Sequence, residues 1–138
     1  MTKPPLADVP VRTTEHLTQR WEKLLHPPVF SARSLWLTWL DDRLMLPVVI
    51  PVDDVPAVPD RLLLADVAQV CESIVESHCV GRAHVALALC RPGRPTVTKD
   101  DVAWENGLRN TLDEDLSGTW SLHLAAGGAI VPMVDLPE

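Results

Sequence analysis

Apolar residues recur along the chain with two different spacings, and the changes between them divide it into eight predicted elements. A spacing of three or four residues predicts a helix, because it places the apolar side chains on one helical face. Alternation of apolar and polar residues, or a short unbroken apolar run, predicts a strand. The predicted helices span 14–25, 61–79 and a segment from 98 onwards, and the predicted strands span 34–40, 44–52, 83–90, 119–124 and 129–134.

The resulting order, α-β-β-α-β-α-β-β, predicts an α/β (α+β) fold in which helices pack on a mixed sheet. Hairpins at either end of this order supply its antiparallel strands. The 138 residues fit a single domain that buries roughly two-thirds of the surface of its unfolded chain. Residues 1–12 contain three prolines and little pattern, so we expect a flexible N-terminal arm before a single domain over 13–138.

The second predicted strand contains two prolines, Pro47 and Pro51. They are four residues apart and therefore point to the same side of the strand. Neither can donate a hydrogen bond to a neighbouring strand. We therefore expect a free sheet edge or a bulge at this strand.

The third predicted helix begins with a variant of the capping box, Thr98 to Asp101, in which aspartate takes the third helical position. Val102, Leu108 and Leu112 are predicted to form its inner, apolar face. Trp104 then lies off that face, where it is either exposed or packed under a neighbouring loop.

Charge, hydropathy and cysteine content indicate which classes of partner and which cellular compartment to expect. The net charge is −7 and the pI is near 5.1, which disfavours nucleic-acid binding because the chain repels phosphate backbones. No apolar run approaches the roughly 20 residues of a membrane span, and we expect neither a signal peptide nor a membrane partner. Three cysteines without a CxxC pair favour reduced thiols and a cytoplasmic location.

The segment 89–101 carries the most specific pattern in the chain. It reads LCRPGRPTVTKDD, which is the end of an apolar run, a loop and a capped helix start. With one residue deleted, it resembles a loop of the JAB/MPN metal-dependent hydrolases, in particular of their RadC-like branch. In that branch a His-x-His-Pro-Ser/Gly loop is followed by Pro-Ser-x-x-Asp at the start of a helix. Pro92 and Gly93 match the proline and the small residue, and Thr98 and Asp101 match the serine and the aspartate.

The resemblance implies a JAB-like scaffold, and its departures imply that the zinc chemistry is absent. Leu89 and Arg91 stand where the family has its two zinc-binding histidines. Only Asp101 remains of the ligands, whereas a catalytic zinc needs three from the protein. We therefore predict no metal and no cofactor. The predicted function is a non-catalytic protein-interaction or regulatory module that binds a protein partner or a second copy of itself.

Three residues around this loop, Arg91, Arg94 and Trp104, are candidates for an anion- or partner-binding surface. Two guanidinium groups beside a helix N-terminus suit a carboxylate or a phosphate. An exposed tryptophan beside arginines is typical of interface hot spots. The alternative is architectural, with the arginines forming internal salt bridges to aspartates such as Asp101.

An enzymatic alternative stays open, namely a small hydrolase whose site is built from Cys90, Asp101 and His123. It requires these three side chains to converge in a cleft. The simpler interpretation is that Cys90 is a buried structural thiol. On that interpretation His123, like His84, is a hydrogen-bonded histidine within an apolar strand.

Overall fold

The structure is a computed structural model that describes residues 9–137, and it contains the eight elements in the predicted order. The helices are α1 (Thr14–Leu24), α2 (Arg61–His78) and α3 (Lys99–Asp115). The strands are β1 (Ser34–Asp41), β2 (Leu44–Asp53), β3 (Ala83–Cys90), β4 (Thr119–Ala126) and β5 (Ala129–Val134). None of the helices in this range has the length and apolar character needed to cross a membrane.

The five strands form one mixed sheet in the order β2-β1-β3-β4-β5. The central pair, β3 and β4, is parallel, and every other neighbouring pair is antiparallel. The parallel pair is connected through α3, and the antiparallel hairpins lie at the two edges. The predicted α+β class with a mixed sheet is confirmed.

The sheet separates two apolar cores, because successive side chains of a strand point to opposite faces. In β3, Leu87 and Leu89 belong to the core that packs against α2 and α3. Ala88 and Cys90 belong to the core that packs against α1. The molecule is therefore built in three layers, with an α2–α3 face and an α1 face of the sheet.

Strand β2 is an edge strand, and within residues 9–137 it pairs with β1 alone. The β1–β2 ladder also shifts register between Thr38 and Leu40, opposite the segment that contains Pro47. Both Pro47 and Pro51 are exposed. The free edge and the bulge expected from the two prolines are both present.

Side-chain caps fix where the helices begin. At α3, Thr98 Oγ1 accepts the Asp101 N–H at 3.3 Å, and the Asp101 carboxylate accepts the Thr98 N–H at 2.9 Å. The predicted capping box is therefore confirmed in both of its bonds. At α2, the Asp60 carboxylate accepts the Leu63 N–H at 2.8 Å in the same manner.

Helix α3 buries two of the three residues predicted for its inner face, Leu108 and Leu112, but not Val102. Its buried residues are Asp101, Trp104, Leu108 and Leu112. Trp104 has no exposed surface, whereas Val102 is 42% exposed, so the prediction for these two residues is wrong. The prediction counted only apolar residues and therefore chose Val102 in the first turn. The buried stripe instead passes through the polar Asp101 to Trp104, Leu108 and Leu112, at intervals of three or four residues.

The predicted N-terminal arm is only partly described, because residues 1–8 lie outside the described range. Its last residues do not form a loose segment. Val11 is completely buried, and its N–H donates to the Arg43 carbonyl at 2.8 Å. The Arg20 side chain of α1 donates to the Val9 carbonyl at 2.8 Å. This part of the arm is packed on the domain.

Candidate functional site

The loop after β3 is organised by one buried ion pair. Arg91 Nε and Nη2 each donate to a different oxygen of the Asp101 carboxylate, both at 2.8 Å. The guanidinium also donates to the carbonyls of Pro92 and Thr96, both at 2.9 Å. Arg91 is 4% exposed and Asp101 is 0% exposed. The pair joins the end of β3 to the first turn of α3. This is the internal salt bridge to Asp101 that was expected from the sequence as the alternative to a binding role for Arg91.

Hydrogen bonding keeps both members of the pair charged. Burial by itself raises the pKa of the Asp101 carboxyl, but the bonds from Arg91 and Thr98 outweigh it and leave this pKa below its usual value. The bond to Asp101 raises the pKa of Arg91. The two charges neutralise each other inside the fold, so neither offers a free charge to an external ligand.

Two of the three candidate partner residues are therefore not surface residues. Arg91 faces Asp101, and Trp104 is buried with its Nε1 donating to the Pro56 carbonyl at 3.1 Å. Arg94 is exposed. The expectation that Arg91, Arg94 and Trp104 form one surface is wrong, because the loop turns its own arginine onto the helix start instead of outwards.

The alternative catalytic cluster does not form. His123 and Cys90 lie on the α1 face, whereas Asp101 lies on the α2–α3 face, so the sheet separates them. Within the β3–β4 ladder, Cys90 is opposite Ala125 and His123 is opposite Ala88. Burial raises the pKa of the Cys90 thiol to about 12, and a protonated thiol is a poor nucleophile. The expected convergence is wrong, and Cys90 is the buried thiol of the simpler interpretation.

His123 is a buried histidine that connects β4 to α1. Its Nε2 lies 2.8 Å from Thr18 Oγ1, and the Thr18 hydroxyl donates to the Thr14 carbonyl at 3.0 Å. Because that hydroxyl has a single proton, Nε2 must carry the ring proton and donate it to Thr18. Nδ1 is then an acceptor that has no partner within residues 9–137. Burial lowers the pKa of His123 to about 4.

A pocket opens at the opposite end of the sheet from the 91–97 loop, where the parallel strands β3 and β4 begin. Its volume is about 240 Å³. Val11, Leu40 and Leu136 give it an apolar wall, and Arg43 and Arg82 line it as well. No residue of this pocket was among the sequence-based site candidates.

Two turns bonded to each other bring the pocket arginines together. The Asp41 carboxylate accepts the N–H groups of residues 80–81 at 3.1 and 2.8 Å. The Asp42 carboxylate accepts the Arg82 N–H at 2.8 Å, and the Asp42 N–H donates to the Arg82 carbonyl at 2.9 Å. The β1–β2 turn that carries Arg43 and the α2–β3 loop that carries Arg82 therefore act as one unit.

His84 lies in the same pocket with both ring nitrogens hydrogen bonded. Nδ1 is 2.7 Å from Thr119 Oγ1, and Nε2 is 2.8 Å from Ser121 Oγ. Burial lowers the pKa of His84 to about 4, so the ring is neutral at pH 7. The interpretation of His84 as a hydrogen-bonded histidine is confirmed. Ser121 is buried, whereas Thr119 is exposed at the pocket.

Sequence reasoning missed this pocket because it is assembled from distant turns. The sequence indicates the turn at 41–43, but it does not indicate which loop packs against it. That contact follows from the β1–β3 pairing, which sets Asp41 opposite Ala83. The site could have been predicted only if the sequence had indicated that β1 lies beside β3. The apolar pattern does not specify the order of the strands in the sheet.

A second candidate surface lies at the β2 edge, on the α1 side of the sheet. Pro47 and Pro51 are exposed there, Val49 is 36% exposed, and Trp36 is half-buried. Trp36 is directly opposite Pro51 in the β1–β2 ladder. We refer to these four residues as the β1–β2 face.

Within residues 9–137, no group of three or more His, Cys, Asp or Glu side chains is arranged to hold a metal ion. Comparison with known proteins gives no family model, no curated protein and no solved structure that matches this chain significantly. Interpretation of its sites therefore depends on its own residues.

Proposed function

We propose that this chain is a non-catalytic protein-interaction module and that its β1–β2 face is the binding surface. The observation that carries the proposal is the run of neighbouring apolar side chains that α1 leaves uncovered on the edge strand. Contiguous exposed apolar side chains mark interaction sites, whereas scattered ones do not. Trp36 adds the large aromatic side chain that is enriched at interface hot spots.

The ion pair at the loop of residues 91–97 supports a non-catalytic role. On the resemblance to the JAB/MPN family, Asp101 corresponds to a metal-ligating aspartate and Arg91 to a lost histidine. The Arg91 guanidinium supplies Asp101 with the positive charge that a metal ion supplies in that family. On this proposal, the chain has a JAB-like scaffold but no hydrolytic activity. It also places the module in the cytoplasm, which is consistent with three free cysteines.

The charges around the β1–β2 face indicate what kind of protein binds it. Aspartates occupy both ends of β2, at residues 41–42 before it and at residues 53–54 where it ends, and the whole chain carries −7. A second copy would bring like charges together at these ends. The charges instead complement a protein segment whose apolar side chains are flanked by lysine or arginine. The prolines of the face remove N–H donors from the edge, which favours side-chain contact over strand addition.

The experiment is an NMR titration of the ¹⁵N-labelled chain with two synthetic peptides, one of alternating valine and lysine and one of alternating valine and glutamate. The valine–lysine peptide is expected to shift the backbone amide signals of β1 and β2 and to leave those of α2 and α3 in place. Val49→Lys should weaken its binding at least tenfold, because it adds a like charge to the centre of the face.

The matched control is Leu62→Lys, which makes the same charge change at an 81% exposed residue of α2. Equal weakening by the two variants would contradict the proposal, and so would shifts mapped to another surface or equal binding of the valine–glutamate peptide. Signals of β1 and β2 that shift with protein concentration alone would identify a second copy as the partner and overturn the choice of a basic one.

A further inference from the structure

We infer that the pocket between the β1–β2 turn and the start of β3 and β4 is a binding site for a small organic carboxylate with an apolar body. This site lies away from the β1–β2 face and does not depend on the proposed protein interaction. Three features give it its chemistry: the arginines Arg43 and Arg82 that line it, Thr119 with its hydroxyl, and an apolar wall.

The two arginines give a carboxylate its counter-charge. Neither forms a salt bridge with a carboxylate of residues 9–137. The neighbouring acidic side chains, Asp41 and Asp42, already accept backbone N–H groups of the 80–82 loop. A guanidinium group presents paired N–H donors whose geometry matches the two oxygens of a carboxylate. The pocket therefore holds two arginines that form no ion pair within residues 9–137, with the charged but hydrogen-bonded Asp41 and Asp42 nearby.

Thr119 supplies a neutral donor beside the arginines. If the Ser121 hydroxyl donates to His84 Nε2, then His84 Nδ1 carries the proton and donates to Thr119 Oγ1. The single proton of the Thr119 hydroxyl then points away from the ring and is free for a ligand. In that tautomer, the buried serine, the imidazole and the exposed threonine form a hydrogen-bonded chain that leaves one hydroxyl proton at the pocket.

The apolar wall and the size of the pocket restrict the rest of the ligand. Val11, Leu40 and Leu136 provide apolar surface but no hydrogen-bonding side chain. The volume of about 240 Å³ is below the range of about 300–1,000 Å³ that is usual for drug-sized ligands. A short aliphatic or single-ring carboxylate fits these limits, whereas inorganic phosphate leaves the apolar wall without a contact.

The backbone at Arg43 indicates that its side chain serves a purpose other than stability. Asp42 and Arg43 have φ values of 49° and 73°, so both residues of this two-residue hairpin turn are left-handed. Such a turn favours glycine at its second position, because a Cβ is strained there. The only side-chain bond that Arg43 makes within the described range is a long one, 3.4 Å to the Arg12 carbonyl. A strained arginine with little structural use is expected where the side chain contacts a ligand.

The test is a calorimetric and ¹⁵N NMR titration with hexanoate, 1-hexanol and inorganic phosphate. Hexanoate is expected to shift the amide signals of residues 82–84 and 118–119 and to bind at least tenfold more tightly than either of the other two probes. Arg43→Gly and Arg82→Ser should each weaken hexanoate binding at least tenfold. Thr119→Val should also weaken it, and Thr119→Ser should restore it.

Two further measurements separate a binding role from a structural one. Arg43→Gly should keep or raise the thermal unfolding midpoint while it removes binding, because it relieves the left-handed strain. Arg94→Ser is the matched control, since it removes an exposed arginine at the opposite end of the sheet, and it should leave binding unchanged. Equal affinity for hexanoate and hexanol, tighter binding of phosphate, unchanged affinity in both pocket variants, or a lower midpoint of Arg43→Gly would each overturn the inference.

Discussion

Acidification is expected to destabilise this protein well above the pH at which carboxylates titrate, because two of its buried histidines resist protonation. Burial lowers the pKa of His84 and of His123 from 6.5 to about 4 in the folded chain. In the unfolded chain both rings regain an ordinary pKa near 6.5. Between these values the unfolded state binds protons that the folded state does not, so the free energy of unfolding falls as the pH falls.

The size of the effect follows from the two pKa values. One pH unit between them is worth about 1.4 kcal/mol per histidine. From pH 7.5 to pH 4.5 each histidine is therefore expected to remove roughly 2.5 kcal/mol, and the two together about 5 kcal/mol. Domains of this size are typically stable by about 5–15 kcal/mol, so the loss is a large part of the total. Above about pH 7.5 both rings are almost entirely neutral in both states, and the free energy of unfolding should be nearly flat as far as these groups are concerned.

The assay is urea unfolding followed by tryptophan fluorescence at pH 7.5, 6.5, 5.5 and 4.5. His84→Gln and His123→Gln are each expected to be less stable than the wild type at pH 7.5, because hydrogen bonds are lost. Between pH 6.5 and 4.5, however, the stability of each variant should fall about half as steeply. His78→Gln, at an exposed ring, is the control and should retain the wild-type slope. Parallel curves for the wild type and both buried-site variants would refute the reasoning.

The 91–97 loop and the start of α3 give two further predictions. Asp101→Asn is expected to cost about 3–5 kcal/mol, because it leaves the Arg91 guanidinium buried without its anion, whereas Arg94→Ser should stay within about 0.5 kcal/mol of the wild type in urea unfolding. Similar losses from the two substitutions would contradict an architectural role confined to Arg91. Thr98→Ala is expected to cost about 1 kcal/mol through the lost N-cap bond, and an unchanged unfolding midpoint would show that the bond contributes nothing to stability.

The fold was predictable wherever a local pattern determines the structure. The capping box at Thr98 forms as predicted because its donors and acceptors lie within one helical turn. The edge position of β2 follows from Pro47 and Pro51, since a proline cannot donate to a neighbouring strand. In both cases the residues that matter are close in sequence, so the spacing alone contains the information.

The sites were less predictable because they depend on contacts between distant segments. Asp101 is buried with Arg91, ten residues earlier, as its ion-pair partner, and it shares the buried face of α3 with Trp104. Arg43 and Arg82 share a pocket only because β1 lies beside β3. Such contacts are not visible as a periodic pattern in the sequence. A pattern that treats aspartate as an exposed residue therefore places Val102 on the inner face instead of Trp104.

The two ends of the parallel pair β3–β4 differ in access, and this difference explains where a site can lie. Ligands of open α/β sheets usually bind outside the carboxyl ends of the strands. Here that end is closed by the Arg91–Asp101 pair and by the β4–β5 turn, which packs so tightly that a Cβ on Gly127 would lie 2.8 Å from the Gly93 carbonyl oxygen. At the amino end, the pocket with Arg43 opens among the residues that the structure describes. The carboxyl end of the parallel pair therefore holds a buried ion pair, whereas the pocket lies at the opposite end of the same two strands.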